Sequence, residues 1–409
     1  MRAGSSFTRR ARSLFEPLVV AGRLADSASP MTYDLVLTGG RVIDPARRFD
    51  AQTDVAFAGG KVAAIGDDLA RDARLVQNVA GKLVTPGLID LHTHVYWGGT
   101  SLGVDPEMLA RRSACTTLVD AGSAGPGNFP GFRKHIIEPS PIRILPYINI
   151  SFAGIFAFSK AVMVGENSDI RLVEPVECVR VARQHMDLIV GIKARVGGVA
   201  SFGTGIAALD IALAAADELG VPLMAHLDRP PPASHDVLPR LRKGDILTHC
   251  FRPFPGGPVF GDGSLREEVI AARKRGVIFD IGHGGGSFGF RSARAALAAG
   301  FEPDVISSDA HELSIHGPAY DLLVTLSKML CLGMKLEAVI KAATASAAAA
   351  LRRPELGTLV AGGIGDASVL SIEKGRFDYV DVIGETFTGE QRIFPAGMVA
   401  GGKWLETVR

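Results

Sequence analysis

Gly87-Leu88-Ile89-Asp90-Leu91-His92-Thr93-His94 is the stretch on which the fold turns: an apolar strand with its chemistry gathered at the far end. No helical period precedes it. Beyond it, strand-like runs recur at Thr116–Ala121, Ile142–Ile150, Leu188–Val196, Pro222–Leu227, Asp245–Phe251, Val277–His283 and Asp304–Asp309. Helical stretches lie between them. Asp105-Pro106 has the form of an N-cap followed by proline at the first helical position. Leu265, Val269 and Ala272 recur at i, i+4 and i+7, with Arg266, Glu267, Arg273 and Lys274 on the other faces. Eight strands, each followed by a helix, predict an α/β fold, a (β/α)8 TIM barrel over residues 87–354. A doubly wound open sheet fits less well, because no G-x-G-x-x-G follows the first strand.

The two chain ends read differently. Tyr33–Thr38, Arg41–Ile43, Asp54–Phe57 and Lys61–Ile65 are short strands separated by Gly39-Gly40 and Gly59-Gly60, which suit turns. Ala367–Glu373, Tyr379–Ile383 and Met398–Val399 are strand-like as well, with a turn at Gly401-Gly402. Residues 31–86 and 355–409 are therefore expected to form one small β-sandwich domain built from both termini. Residues 1–30 carry Arg2, Arg9, Arg10, Arg12 and Arg23 among Ser and Ala. Glu16-Pro17 separates Leu14-Phe15 from Leu18-Val19-Val20, so no signal-peptide core forms. This segment is expected to be a disordered extension, with Met31 opening the folded part.

In 409 residues, 44 Lys+Arg oppose 43 Asp+Glu, for a net charge of +1. That balance lacks the basic footprint of a nucleic-acid binder. No apolar run reaches the about 18 residues of a membrane-spanning helix. Cys115, Cys178, Cys250 and Cys331 lie far apart with no C-x-x-C pair, and read as isolated buried thiols in a reducing, cytoplasmic setting. The expected partner is a small molecule, not nucleic acid or membrane, and barrels of this kind often form homo-oligomers.

Barrel enzymes carry functional side chains at the C-terminal ends of their strands. His92 and His94, at i and i+2, share one strand face. Lys193 sits inside the apolar run Ile189-Val190-Gly191-Ile192-Lys193-Ala194, where a lysine is rare without a partner. Strand five ends in His226, strand six in His249 and strand eight in Asp309. Singly, the H-x-H pair reads equally well as incidental, and His226, His249 and Asp309 each read more readily as structural. Together they place six candidate ligands at strand ends, four of them drawn from ten histidines. Two cations held a few Å apart need a shared anionic ligand. A neutral lysine amine can add CO2 to give a carbamate, which is such a bridging carboxylate.

The run Val84-Thr85-Pro86-Gly87-Leu88-Ile89-Asp90-Leu91-His92-Thr93-His94 resembles the amidohydrolase superfamily, the urease and dihydroorotase relatives. Gly357-x4-Gly362-Gly363-x-Gly365-Asp366-Ala367-Ser368 resembles that superfamily's return into its β-sandwich. The resemblance runs from about residue 33 to 405. It implies two divalent metal ions, usually zinc: His92 and His94 on one with Asp309, His226 and His249 on the other, and Lys193 bridging them as N6-carboxylysine. The tract Val305-Ile306-Ser307-Ser308-Asp309-Ala310-His311, followed by His316-Gly317-Pro318, and the tract Phe279-Asp280-Ile281-Gly282-His283-Gly284 resemble the dihydroorotase-like deacetylase branch. Members of that branch cleave N-acetyl or O-acetyl groups from small amino or hydroxy acids. Dihydroorotases themselves carry an arginine two residues after the H-x-H. Here Val95-Tyr96-Trp97 follows, which argues against pyrimidine ring opening.

The reaction implied is hydrolysis of the acyl amide or ester of a small acid by a hydroxide held between the two ions, with Asp309 as general base and then acid. Expected substrate contacts are His283 at the end of strand seven, Asn149 near the end of strand three, Arg195 two residues past Lys193, and His311 two past Asp309; Tyr96 and Trp97 are expected to wall the pocket or simply to pack. Gly122–Gly131 and Gly284-Gly285-Gly286 are expected to be loops over the mouth. The competing readings are a cyclic-amide hydrolase of the dihydroorotase or hydantoinase kind, a non-catalytic binding protein on the same fold, and a single-metal nucleobase deaminase. A serine hydrolase is not expected, because a metal-held hydroxide needs no Ser or Cys nucleophile.

Overall fold

Leu88–Thr93 is buried along its whole length, as a strand covered on both faces must be. It is the first of seven parallel strands whose spatial order follows the chain: Leu88–Thr93, Cys115–Ala121, Arg143–Asn149, Gly191–Val196, Leu223–Leu227, Ile246–Leu247 and Ile278–Phe279. The computed structural model describes residues 32–409. The expected extension over residues 1–30, and Met31 as its boundary, lie outside the described residues.

Two isolated parallel bridges, Asp280↔Val305 and Thr93↔Ala310, lay the segment before His311 between the last strand and the first. They close the ring, so the fold is a (β/α)8 barrel. The predicted eighth strand, Asp304–Asp309, is thus present as a connecting staple and not as a regular strand. The sixth and seventh strands are also shorter than predicted. After Leu247 the backbone turns at His249 (φ 68°), and after Phe279 it turns at Gly282 (φ 47°), so regular pairing stops.

The helices pack outside. Pro106–Ser113 begins as the sequence predicts, with the Asp105 carboxylate accepting from the N–H groups of Glu107 (2.8 Å) and Met108 (3.2 Å). Glu267–Arg275 buries Val269 and Ala272 and exposes its charged residues. No helix of the described residues is long and apolar enough to cross a membrane.

The chain ends form one eight-stranded sheet. Leu83–Pro86 joins the two halves, pairing with Leu35–Asp44 on one side and Ala367–Val380 on the other. The sheet folds back on itself: Lys61 bridges Ile364, and Gly365 N–H reaches Gly60 O at 2.9 Å. Between the halves lie Leu35, Leu37, Val55, Phe57, Val84, Val369 and Val399, the core of a β-sandwich. Gly59-Gly60 and Gly401-Gly402 are turns, as expected. Gly39-Gly40 is not. Leu35–Asp44 runs through it as one strand with a register shift between Leu37 and Gly40, a bulge instead of a hairpin. At the other end, the strand expected over Tyr379–Ile383 stops at Val380, where the Asp381 carboxylate accepts from the N–H groups of Ile383 and Glu385 and turns the chain.

Phe57 is fully buried in the sandwich core. Phe57→Ala is expected to lower stability by about 3–5 kcal/mol through the cavity it leaves. Urea denaturation monitored by circular dichroism checks this; a loss under about 1 kcal/mol would mean that the core collapses around the gap.

Candidate active site

The period-two alternation of the first strand sends His92 and His94 to the barrel interior, and parallel register brings the other candidates alongside. Lys193 pairs with Met224 and Asn149, and Arg195 with His226. His92, His94, Lys193, His226, His249 and Asp309 are all buried. Ring centroids lie 5.4 Å apart for His92 and His94, 5.1 Å for His92 and His249, and 4.4 Å for His226 and His249. Lys193 Nζ stands 3.4 Å from His92 Nε2 and 3.3 Å from Met224 Sδ. The ligand-type atoms of His92, His249 and Asp309 lie within 4.8 Å of one another.

Hydrogen bonds outside this group decide which ring nitrogens face inward. The Thr248 hydroxyl donates to Asp280 Oδ2 (2.7 Å), so His92 Nδ1–H donates to Thr248 Oγ1 (2.9 Å). His249 Nδ1–H donates to the Gly282 carbonyl at 2.6 Å. His94 Nδ1 sits 2.8 Å from Ser123 Oγ. With those protons placed on Nδ1, the Nε2 lone pairs face inward: His249 Nε2 accepts from His226 Nδ1–H at 2.7 Å, while the Nε2 atoms of His92 and His94 are acceptors with no close donor. Burial above all keeps the rings neutral: it pulls His94 down to about 3 and holds His92, His226 and His249 well below the ordinary histidine range.

These bare acceptors face another acceptor. Asp309 Oδ1 lies 3.4 Å from His92 Nε2 and 3.3 Å from His94 Nε2. It has no hydrogen-bond partner, and neither has the buried His226 Nε2. Lone pairs converging at such distances repel unless a cation or proton lies among them. Imidazole nitrogen and carboxylate oxygen are the donor set of zinc and neighbouring divalent ions. The group therefore fits a divalent metal.

The backbone is bent to hold this arrangement. His249 and Asp309 both sit at positive φ (68° and 47°), where L-residues other than glycine are uncommon. A Cβ on Gly284 would lie 2.2 Å from Asp309 Oδ2. Asp90 accepts from Ser308 N–H (2.9 Å) and Ser308 Oγ (2.5 Å), which fixes the residue before Asp309.

The expected substrate contacts divide. Arg195 and His311 line the cavity beside the cluster. Arg195 Nη1 pairs with buried Glu166 at 3.0 Å, and burial pulls His311 down to about 4. His283 is not with them. Because the chain turns at Gly282, its ring stacks on Phe288; Nδ1 meets Gly284 O at 2.9 Å, and Nε2 accepts from buried Lys328 at 2.7 Å. Asn149 is also engaged elsewhere, donating to Gly122 O (3.0 Å) and accepting from Ser151 N–H (2.9 Å). Tyr96 packs on Phe132, and Trp97 is exposed. Sequence pattern alone assigns no role to Thr248, Asp280, Ser123 or Glu166. Thr248 and Asp280 stand on strand ends beside recognised residues, whereas Glu166 lies in a loop with no periodic signal.

No protein-family model matches the chain. It is 34% identical to a deacetylase of Agrobacterium fabrum, over 88% of each chain. The structure of a dihydroorotase superposes with a TM-score of 0.83 at 32% identity, covering 92% of this chain and 98% of that one. The structure of an adenine deaminase superposes with a TM-score of 0.85 at 28% identity, covering 91% and 99%.

Gly284→Ala is expected to displace the Asp309 carboxylate and weaken divalent-metal binding by about 10–100-fold in a folded protein. Zinc titration with a chelator competitor, alongside circular dichroism, checks it; wild-type affinity would mean that Asp309 tolerates the added methyl.

Proposed function

Because the chain belongs to the amidohydrolase superfamily, among its deacetylase-like members, we propose that it is a binuclear metal-dependent hydrolase removing an acyl group, an acetyl above all, from the nitrogen or oxygen of a small amino or hydroxy acid. The observation that carries this reading is the convergence of Asp309 Oδ1 and the bare Nε2 atoms of His92 and His94 at the mouth of a hydrolase barrel. His92, His94 and Asp309 would hold one ion and His226 and His249 the other, zinc suiting both. Burial pulls the Lys193 amine down to about 7, so a neutral amine would be available to add CO2 with release of one proton, and the resulting carbamate would serve as a shared anionic ligand. Bound divalent ions supply Lewis acidity toward the acyl carbonyl and toward water.

The chain's own residues do the rest. Asp309 takes the proton of the attacking water and returns it to the leaving amine or alkoxide. Burial raises its carboxyl above its ordinary value. Arg195 and His311, on the cavity wall, would touch the substrate. The same reading takes residues 31–86 with 355–409 as one domain and 87–354 as the catalytic barrel. It also takes the protein as cytoplasmic, in keeping with four unpaired cysteines.

The zinc-loaded protein is expected to release acetate from members of a panel of N-acetyl amino acids and O-acetylated 2-hydroxy acids of both hands. Ring opening of dihydroorotate or a hydantoin without any acetate release would favour the cyclic-amide reading instead. Lys193→Ala should lose part of its metal and most of its turnover, at least about 100-fold; two metals and an unchanged rate in that variant would remove the carbamate. Asp309→Asn should stay folded with turnover down by about 100-fold or more, and a wild-type pH–rate profile there would take proton transfer away from Asp309.

A further inference from the structure

Past the histidine cluster the cavity opens to about 480 Å³ and takes in Arg195, Arg229, Arg252 and Asp228 as well as Asp309 and His311. The charges in this outer chamber are unequally satisfied. Arg195 is spent on Glu166 (3.0 Å). Asp228 is spent on backbone, accepting from the N–H groups of Val199 (3.2 Å) and Ala200 (2.9 Å). Arg229 is exposed. Arg252 differs from all of them. Its Nη2 donates to Ser287 Oγ (2.8 Å), its Nη1 makes only a long contact to Gly286 O (3.4 Å), and its buried Nε has no partner. Among the described residues no carboxylate comes within ion-pairing distance of it. An inward guanidinium with a buried, unmet N–H and no contact ion pair, Asp228 and Asp309 acting on it only from a distance, is unfavourable until an anion arrives. Its planar fork matches a carboxylate, which can take two of its N–H groups at once.

Arg252 follows the candidate ligand His249 by three residues, so an anion on it lies in the chamber that opens onto the cluster. We propose that Arg252 determines specificity by gripping a free carboxylate of the substrate, so that the compounds turned over are acylated acids and not their neutral amides or esters. This rests on the reading of the inner cluster as a hydrolytic site. Ser287 and the Gly284–Gly286 loop hold the guanidinium in line, and Arg195, already neutralised, adds a donor-rich wall.

The test pairs each acid with a neutral twin: N-acetylalanine and other N-acetyl amino acids against their carboxamides, and O-acetyllactate against its methyl ester, in both hands. Titration calorimetry reads binding to the metal-loaded protein, and acetate release reads turnover. The wild type should favour acids over twins by about 100-fold in kcat/KM. Arg252→Gln should lose about 100-fold on the acids, chiefly through KM, while the twins change by less than about 3-fold; Arg252→Lys should fall between. Equal losses on acids and twins in both variants would make Arg252 a structural anchor of the loop and overturn the proposal. So would a wild type that binds no acid more tightly than its twin. If acids bind in an Arg252-dependent way and no acetate appears, the carboxylate assignment stands and the deacylase reading falls.

Discussion

Asp309 Oδ1 faces two imidazole nitrogens at 3.3 and 3.4 Å, and all three atoms bring lone pairs. In a buried site no solvent relieves that repulsion. A cation or proton placed among them turns the same geometry into attraction, and the surrounding structure holds the atoms in that arrangement. Gly284 leaves room for the Asp309 carboxylate. The left-handed backbone at Asp309 and His249 aims side chains that an extended strand would send elsewhere. Such strain persists only where the neighbourhood over-determines it, as the paired hydrogen bonds from Ser308 to Asp90 do here.

Beneath the histidines lies a layer of acids that orient instead of ligating. Burial lifts Asp90 to about 7 and Asp280 to about 6, and raises Asp120. Hydroxyls partly offset it, Ser308 on Asp90 and Ser307 with Thr248 on Asp280. These acids act through others: Asp280 through Thr248 on His92, and Asp120 through Ser123, whose N–H it accepts at 2.7 Å, on His94. The lysine at the centre is subject to the same burial. With no carboxylate in contact, Lys193 is destabilised as an ammonium, which is the condition under which an amine becomes a nucleophile toward CO2.

The barrel and its inner cluster were legible because both rest on simple periodicities. Alternation of two along a strand places His92 and His94 together, and the rule that function gathers at strand ends picks out Lys193, His226, His249 and Asp309. Neither rule reaches residues past the last regular pair. His283 follows a turn at Gly282, and its partner Lys328 stands 45 residues further on, so nothing near it in the chain announces that its ring leaves the mouth. Arg252 lies in Phe251-Arg252-Pro253, a loop without period, and its meaning comes from what it lacks in space. Gly39-Gly40 carries a turn signature yet bulges within a strand, because pairing with Phe49–Ala58 continues on both sides of it.

The two halves of the barrel contribute to the site by different means. Strands from Leu88 to Leu227 pair over longer stretches, although the first shifts register against the second at Leu88/Ile89 and Asp90/Thr93, and the pleat aims His92, His94, Lys193, Arg195 and His226. From Ile246 onward regular pairing shrinks to two residues per strand and then to single bridges. That loss of ladder leaves backbone groups to be satisfied otherwise. Cys250 N–H bonds to Asp280 O (3.0 Å), Gly282 N–H to Ser307 Oγ (3.1 Å), Gly284 N–H to Ser308 O (2.8 Å), and Asp309 N–H to His92 O (2.7 Å). Each of these ties one irregular strand end to its neighbour, the last across the seam where the barrel closes. Freedom from the pleat is what allows positive φ at His249, Gly282, Gly284 and Asp309. The first half thus supplies His92, His94 and His226 by pattern, and the irregular half bends His249 and a carboxylate to meet them, held by hydrogen bonds that a continuous ladder would have used up.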